Sequence, residues 1–483
     1  MYDKLFDDPS LPVGKPTKSY WQNPPHHGLL GIKSKDLPKV RDVVIIGSGI
    51  TGCSVARHLL TGGYKGFLTV LEAREVCSGA TGRNGGRINA VAVLDYDKYS
   101  RLFGSKAAAE IIRFELSHLG ELLDAAKSLG NEAYKKSEIR EVETVAAVFS
   151  DDKLQDLKEQ LAKFEAALPD LAGCWKVVES EVCEVYGMRN ACGALIGKAG
   201  AVWGYRLITE IFTSLSNKYQ DRLTIETQTP ALAISPSGTG NEPYSIKTPR
   251  GIIRAKHVIH CTEGHISHLL PNLRGILVPR RGQITVLNPG VNFEDSKGSR
   301  SWSFYHKIGF DYLSQNEHTG ELFVGGGEVG GFEGALDVHG IASDAAENMT
   351  AKSHLAGVMP VVFGNERWGP EQPQKPTLKA SWTGVMCNSL DKVPMVGLLP
   401  QEALGIRSAG DEEKGAEWLS AGYGGYGMVN AWMCGKAVAE QLIHQKRPSW
   451  LPKEYVLTSE RMVHLRKRLF DIKGSAEHLR ALL

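Results

Sequence analysis

The hexapeptide Gly47-Ser48-Gly49-Ile50-Thr51-Gly52 is the stretch of this 483-residue chain whose residue types and spacing most directly imply chemistry. A Gly-x-Gly-x-x-Gly pattern suits a phosphate. Gly47 permits a tight turn, Gly49 lets the backbone approach a pyrophosphate, and Gly52 lets the next helix lie close on the preceding strand. Glu72 follows at the distance where an acid accepts hydrogen bonds from ribose hydroxyls, and its charge argues against a 2′-phosphate. Two more segments carry candidate groups. Thr81-Gly82-Arg83-Asn84-Gly85-Gly86-Arg87 sets two arginines in a glycine-rich turn, and Gly422-Tyr423-Gly424-Gly425-Tyr426-Gly427-Met428 aims backbone N–H groups and a helix N-terminus at whatever lies before it.

The elements needed to position these groups are visible around them. Val43-Val44-Ile45-Ile46 feeds the first turn as a buried strand. Cys53, Ala56, Leu59 and Leu60 then recur at helical spacing up to Gly62-Gly63, and Phe67 to Leu71 forms a second strand that delivers Glu72. Strand, turn, helix, strand and acid together read as a dinucleotide-binding unit, which leaves NAD or FAD open. The distant third glycine turn decides for FAD: a nicotinamide domain has no use for a remote chain end, whereas a flavin ring needs walls.

Hydrophobic residues at 42%, charged residues at 23% and a net charge of +2 are ordinary for a folded protein of two domains, and give no reason to invoke nucleic acid or a membrane surface. There is no apolar run of spanning length, and Met1-Tyr2-Asp3-Lys4 does not begin a charged-then-apolar leader, so a cytoplasmic location is expected. The ending Ala481-Leu482-Leu483 is not a Ser-Lys-Leu-type address, which leaves a peroxisomal location without a recognisable signal. Eight cysteines without a Cys-x-x-Cys pair suit reduced thiols.

Along the chain, residues 1–38 read as an extended, proline-rich arm with the aromatic pair Tyr20-Trp21 pinned to the body. Helices are expected over 107–129 and 151–168, far from the glycine motifs and with solvated charged faces. Trp203-Gly204-Tyr205-Arg206 opens a helix, Leu223 to Glu226 and Ala255 to Cys261 are strands, and so the chain re-enters the first domain. Gly282 to Leu287, Phe310 to Leu313 and Glu321 to Val324 are strands of a second sheet, whose Trp302, Phe304, Tyr305 and Tyr312 either line a pocket or pack a core. No metal is expected. His26-His27 lacks a third ligand, and His257 and His260 point to opposite faces of a strand.

These segments are recognisable jointly. Val43–Gly52, Glu72, Ser78–Gly86, Leu277-Val278-Pro279-Arg280-Arg281-Gly282-Gln283, Trp382–Met386, Asp391 with Pro394 and Gly397, and Gly422–Met428 resemble the FAD-dependent amine and amino-acid oxidoreductases of the D-amino-acid oxidase superfamily. The nearest branch is that of sarcosine oxidase-like and gamma-glutamylputrescine oxidase-like proteins. The resemblance implies an α/β fold: a Rossmann-like FAD-binding domain (39–90, 193–275 and 376–446) interleaved with a substrate domain (91–192 and 276–375) built on a mainly antiparallel sheet with covering helices, and a helical tail over 447–483. It makes Gly47, Ser48, Gly49, Ile50, Thr51, Gly52, Glu72, Ala73, Arg74, Thr81, Gly82, Arg83, Asn84, Gly85, Gly86, Cys261, Thr262, Gly424, Gly425, Tyr426, Gly427 and Met428 the cofactor-binding set.

The implied reaction is oxidation of a C–N bond in an amine or amino-acid-like molecule by hydride transfer to flavin N5, giving an imine and hydrogen peroxide. Arg87, Tyr305 and Tyr426 are the candidate catalytic residues. Arg87 falls where the sarcosine oxidase branch has an arginine by the flavin face, and its planar fork suits a carboxylate. Arg83 either does the same, or both arginines merely brace the loop or face the FAD phosphates. Two departures from the branch stand out: Phe323 occupies the place of its oxygen-assisting lysine, with Lys307 nearby, and Gly384 occupies the place of its flavin-tethering cysteine, with Cys387 three residues beyond. FAD is therefore expected to be non-covalent, with oxygen or another acceptor taking the electrons. A dehydrogenase of a 2-hydroxy acid or polyol, and a flavin-binding protein without turnover, are the alternatives.

Overall fold

The computed structural model describes residues 3–188, 190–237, 242–307, 309–327, 338–370, 376–405, 407, 410 and 414–473. Its strands in chain order are β1 (Val40–Ile46), β2 (Leu68–Leu71), β3 (Arg87–Ile88), β4 (Arg140–Val148), β5 (Lys176–Glu179), β6 (Gly193–Ala201), β7 (Leu223–Glu226), β8 (Ala233–Pro236), β9 (Tyr244–Thr248), β10 (Gly251–His260), β11 (Leu277–Leu287), β12 (Arg300–Tyr305), β13 (Phe310–Gln315), β14 (Leu322–Gly326), β15 (Leu378–Ser389), β16 (Met395–Leu398) and β17 (Glu417–Ala421).

Val43 to Ile46 are buried because β1 is the inner strand of a sheet ordered β16-β17-β10-β1-β2-β7, in which β10, β1, β2, β7 and β17 pair in parallel. A strand covered on both faces must be apolar throughout, as this one is. The second sheet, β15-β11-β14-β13-β12-β4-β6-β3, is antiparallel except where β12 meets β4. The fold is thus mixed α/β, and the chain passes between the sheets several times. Among the described residues no helix is long and apolar enough to cross a membrane.

Close contacts bring the glycine turns together. The helix Ile50–Thr61 packs on the helix Ala431–His444 that follows the third turn, with the Ser54 hydroxyl donating to the Trp432 carbonyl (2.5 Å). Gly435 makes this approach possible: a Cβ there would lie 2.7 Å from the Thr51 carbonyl oxygen. The second turn is tied to the first by Thr81, whose Oγ1 accepts the Ile50 N–H (2.9 Å).

One expectation is corrected. The helix Ser105–Lys127 does not stand away from the glycine motifs but packs on the third one. His118 Nε2 accepts the Met433 N–H (3.3 Å), the Asn430 amide faces Glu115 (3.5 Å), and Lys436 pairs with Glu121 (3.1 Å). Glu115 and His118 are buried, so part of the polar pattern on this helix is an internal interface. The helix Asp151–Ala167 agrees with expectation in extent.

The arm is pinned as its aromatic pair suggested. Trp21 stacks on Phe323 (3.9 Å between centroids) and meets Trp203 edge-on (4.9 Å), while its Nε1 donates to the Asn84 carbonyl (2.5 Å). Phe323 is consumed in this contact.

Candidate active site

A cavity of about 630 Å³ runs between the two sheets. At one end lie Glu72, Ala73 and Arg74. The middle is formed by Gly47–Thr51, Thr81 and Cys261–Gly264, and the far end by Arg87, Tyr305, Tyr312, Arg280 and Gly424–Met428. Three glycine turns that are remote in sequence therefore face one space.

The first turn has the geometry its spacing implies. Gly47 has φ of +108°, open to glycine, and a Cβ on it would meet the Cys261 carbonyl oxygen at 2.6 Å. Gly52 lies behind the wall, not on it: its Cβ would sit 2.0 Å from the Gly47 carbonyl oxygen and 3.3 Å from Ile45. Its part is to let the helix approach the strand. Gly49 N-caps that helix with no side chain of its own; Thr81 takes the Ile50 N–H, and the backbone of Gly49–Thr51 borders the cavity, so this end of the helix faces an anion placed there. Glu72 is already oriented, with Oε2 taking the Ser48 N–H (3.2 Å) and hydroxyl (2.6 Å) and Oε1 taking the Arg74 N–H (2.8 Å).

The second turn divides its residues differently from expectation. Thr81, Arg83, Asn84 and Gly85 border the cavity; Gly82 and Gly86 do not. The Gly82 carbonyl accepts from Ser19 (2.7 Å) and Gln22 (2.9 Å), and a Cβ on Gly86 would press on the Trp21 ring at 3.3 Å, so both glycines serve the docking of the arm. Arg83 braces its loop. Nε donates to the Thr383 carbonyl (2.6 Å), Nη2 to the Thr17 carbonyl (2.5 Å), and Asp344 lies 3.3 Å away. Arg74 likewise spends its guanidinium on Asp344 (3.0 Å). The Asn84 side chain closes the turn onto Thr81 and Gly86.

Arg87 is different. It sits on the two-residue β3, opposite Ala201 of β6, with its guanidinium 5.4 Å from the Tyr312 ring centre and Nη2 donating to the Ser303 hydroxyl (2.8 Å). Among the described residues its buried Nε has no partner and no carboxylate pairs with it. Burial lowers the Arg87 guanidinium to about 10, partly offset by the Tyr305, Tyr312 and Tyr426 phenols, so it stays charged at neutral pH.

The aromatic question resolves by strand alternation: Ser303 and Tyr305 of β12 face the cavity, whereas Trp302 and Phe304 pack the core behind it. Phe310 and Tyr312 face it from β13. Tyr312 lies in a slot between Gly85 and Gly325, where added Cβ atoms would meet its ring at 2.4 and 2.2 Å. Burial pushes the Tyr312 phenol up to about 12 and also raises Tyr305; Tyr426 is raised first by the Asp95 carboxylate and then by burial. All three hydroxyls are neutral near pH 7 and act as hydrogen-bond groups, not bases.

Sequence reasoning gave no role to Arg280 or Ser303. Arg280 faces the same end of the cavity as Arg87; of two adjacent arginines on a strand, one had to point each way. The buried Glu263 carboxylate accepts the N–H groups of Cys387 (3.2 Å), Gly422 (3.1 Å) and Tyr423 (3.2 Å), tying the end of β10 to β15 and the third turn. Its φ of 45° is left-handed, a strain these bonds sustain. The arm also contributes Ser10, Leu11 and Pro12 to the wall.

A dinucleotide fits this cavity: a helix N-terminus and close-approach glycines at its middle, an oriented acid at one end, and at the other a chamber under the third turn. Fold and site define a dinucleotide-binding α/β protein with a second, antiparallel sheet over the chamber. Residues 42–441 match the family DAO, FAD dependent oxidoreductase, and the chain belongs to that family. FAD is its cofactor, and the chain is an FAD-dependent oxidoreductase. Solved structures share the fold at low identity. L-proline dehydrogenase from P. horikoshii is 17% identical with a TM-score of 0.63, over 87% of this chain and 97% of that one. Glycine oxidase from Geobacillus kaustophilus is 14% identical with a TM-score of 0.63, over 87% and 99%. Iminodiacetate oxidase from Chelativorans sp. BNC1 is 15% identical with a TM-score of 0.61, over 86% and 98%. A search of curated protein sequences finds no match.

Proposed function

We propose that this chain oxidises the C–N bond of a small amine that carries a carboxylate, an amino-acid-like molecule, to an imine that water then hydrolyses. One observation carries the reading. Arg87 is a charged fork in the chamber wall, with an unpartnered Nε and no acidic partner among the described residues. A substrate carboxylate satisfies it in the bidentate manner arginine favours. The relatives named above support the C–N assignment, since proline, glycine and iminodiacetate are all amines bearing carboxylates.

FAD, when bound, supplies the two-electron acceptor. The chain's residues do the rest. Arg87 and the Ser303 hydroxyl hold the carboxylate, which fixes where the α-carbon sits. Tyr305, Tyr312 and Phe310 wall the chamber from the second sheet and exclude water, and Tyr426 closes it from the third turn. The third turn, Gly424–Met428, borders the chamber and would hold the ring end of the cofactor there. FAD is held without a covalent bond: Cys387 does not border the cavity, and Cys261, the cysteine that does, is buried with its thiol raised by burial. No lysine borders the cavity among the described residues.

The test is anaerobic mixing of the yellow protein with a panel of amines, amino acids and 2-hydroxy acids. Carboxylate-bearing amines bleach the flavin on this reading, and admission of air restores the colour with release of peroxide. Bleaching by hydroxy acids alone would replace it with C–O chemistry, and a flavin that stays reduced in air would move the acceptor from oxygen to a carrier.

A further inference from the structure

On the far side of β13 from the chamber, three metal-ligating side chains meet. His306 follows β12, Asp311 lies in β13, and His354 comes from the helix Met349–Phe363. His306 Nε2 lies 2.9 Å and His354 Nε2 lies 2.6 Å from the same oxygen of Asp311, Oδ2, and the three candidate ligand atoms are all within 4.8 Å of one another. We propose that His306, Asp311 and His354 form a binding site for one divalent transition-metal ion, with zinc the natural occupant.

Each feature of the cluster suits that role. Two imidazoles and a carboxylate, without a thiolate, favour zinc and its neighbours over magnesium or calcium, which prefer all-oxygen sets. The other Asp311 oxygen, Oδ1, is fixed by the Gly327 N–H at 2.7 Å, the outer hydrogen bond that orients a ligating carboxylate. The His306 ring stacks on Phe149 (5.3 Å), which limits its rotation. The Asp311 side chain is 1% exposed, while those of His306 and His354 are 24% and 23% exposed, so the fourth position opens to water.

A tetrahedral ion with ligands at about 2.0–2.1 Å sets them roughly 3.3 Å apart. Both nitrogens must therefore withdraw from Oδ2 by about half an ångström, a shift that partly exposed imidazoles make without disturbing β13. The ion would clip the β12–β13 hairpin to the helix behind it. Tyr305, Phe310 and Tyr312 lie on that hairpin and face the chamber, so the clip stiffens the wall against which Arg87 rests. No single stretch of sequence contains the site.

The test uses the full-length, FAD-loaded protein, stripped of metal by a chelator and titrated with Zn²⁺ by calorimetry. One ion per chain is expected. His354→Ala should weaken binding by about a hundredfold or more, since even losing an outer partner of a metal ligand costs about 10- to 100-fold; the retained flavin spectrum shows that the variant is folded. A second readout needs no variant: Co²⁺ should give the visible ligand-field bands of a low-coordinate nitrogen and oxygen site, and Zn²⁺ should abolish them. Absence of saturable uptake of either ion by the unmodified protein, or equal affinity in His354→Ala, would overturn the proposal and leave a metal-free His–Asp–His hydrogen-bond cluster.

Discussion

Replacing Arg87 by alanine removes the only charge whose position the proposed reaction depends on. Among the described residues the guanidinium makes one protein hydrogen bond, to Ser303, and its Nε has no partner. The variant therefore breaks little within the protein, and the loss should appear in substrate binding. Truncating one partner of a buried, hydrogen-bonded charge pair costs about 2–5 kcal/mol, or roughly 30-fold to several thousandfold in apparent affinity. The assay is rapid anaerobic mixing, with the dissociation constant taken from the substrate dependence of flavin reduction, for a carboxylate-bearing amine and for its analogue without the carboxylate. The first should weaken by that factor and the second should not. Arg87→Lys keeps the charge but loses the fork, and should fall between the two. Equal affinity of the alanine variant for the carboxylate substrate would remove Arg87 as the anchor.

Three other perturbations follow from the same structure. Gly52→Ala places a Cβ 2.0 Å from the Gly47 carbonyl oxygen, a clash with backbone that should cost about 1–3 kcal/mol and weaken FAD binding about tenfold or more; unchanged FAD affinity by fluorescence titration would refute the packing role. Burial and the neighbouring Asp95 raise the Glu115 carboxyl to about 8 in the folded chain, so folding retains a proton that the unfolded chain releases above about 4.5. That contribution is complete at low pH and is lost as pH rises toward 8, at up to about 1.4 kcal/mol per pH unit. Glu115→Gln should remove this slope and gain in melting temperature relative to the unmodified protein between about pH 5 and pH 8; parallel profiles would contradict the assignment. Acid precipitation should release the yellow colour into the supernatant, and colour retained in the pellet would show a covalent flavin.

What could be read in advance divides along the range of the interactions. The strand, turn and helix around Gly47–Gly52, and the acid at Glu72, follow from spacing within about thirty residues, because local backbone geometry alone demands those residue types. Strands such as Leu223–Glu226 were legible for the same reason. Within the second turn the split between Arg83 and Arg87 was not: it depends on Thr17, Thr383 and Asp344, which reach Arg83 but not Arg87, and no local pattern reports them. Gly82 and Gly86 look like phosphate glycines in sequence, yet face the Trp21 arm. Glu115 and His118 look like the solvated face of an amphipathic helix until the third glycine turn is packed against them. Glu263 acquires its meaning only where three loops meet.

The most direct measurement of the central claim is a crystal structure of the FAD-bound protein soaked with a small, unreactive carboxylate analogue of an amino acid. The dinucleotide should span the cavity from Glu72 to the third glycine turn, with the carboxylate on the Arg87 fork between the ring and the Tyr305–Tyr312 wall. A carboxylate bound elsewhere, or a ring lying outside the chamber beneath Gly424–Met428, would contradict the account.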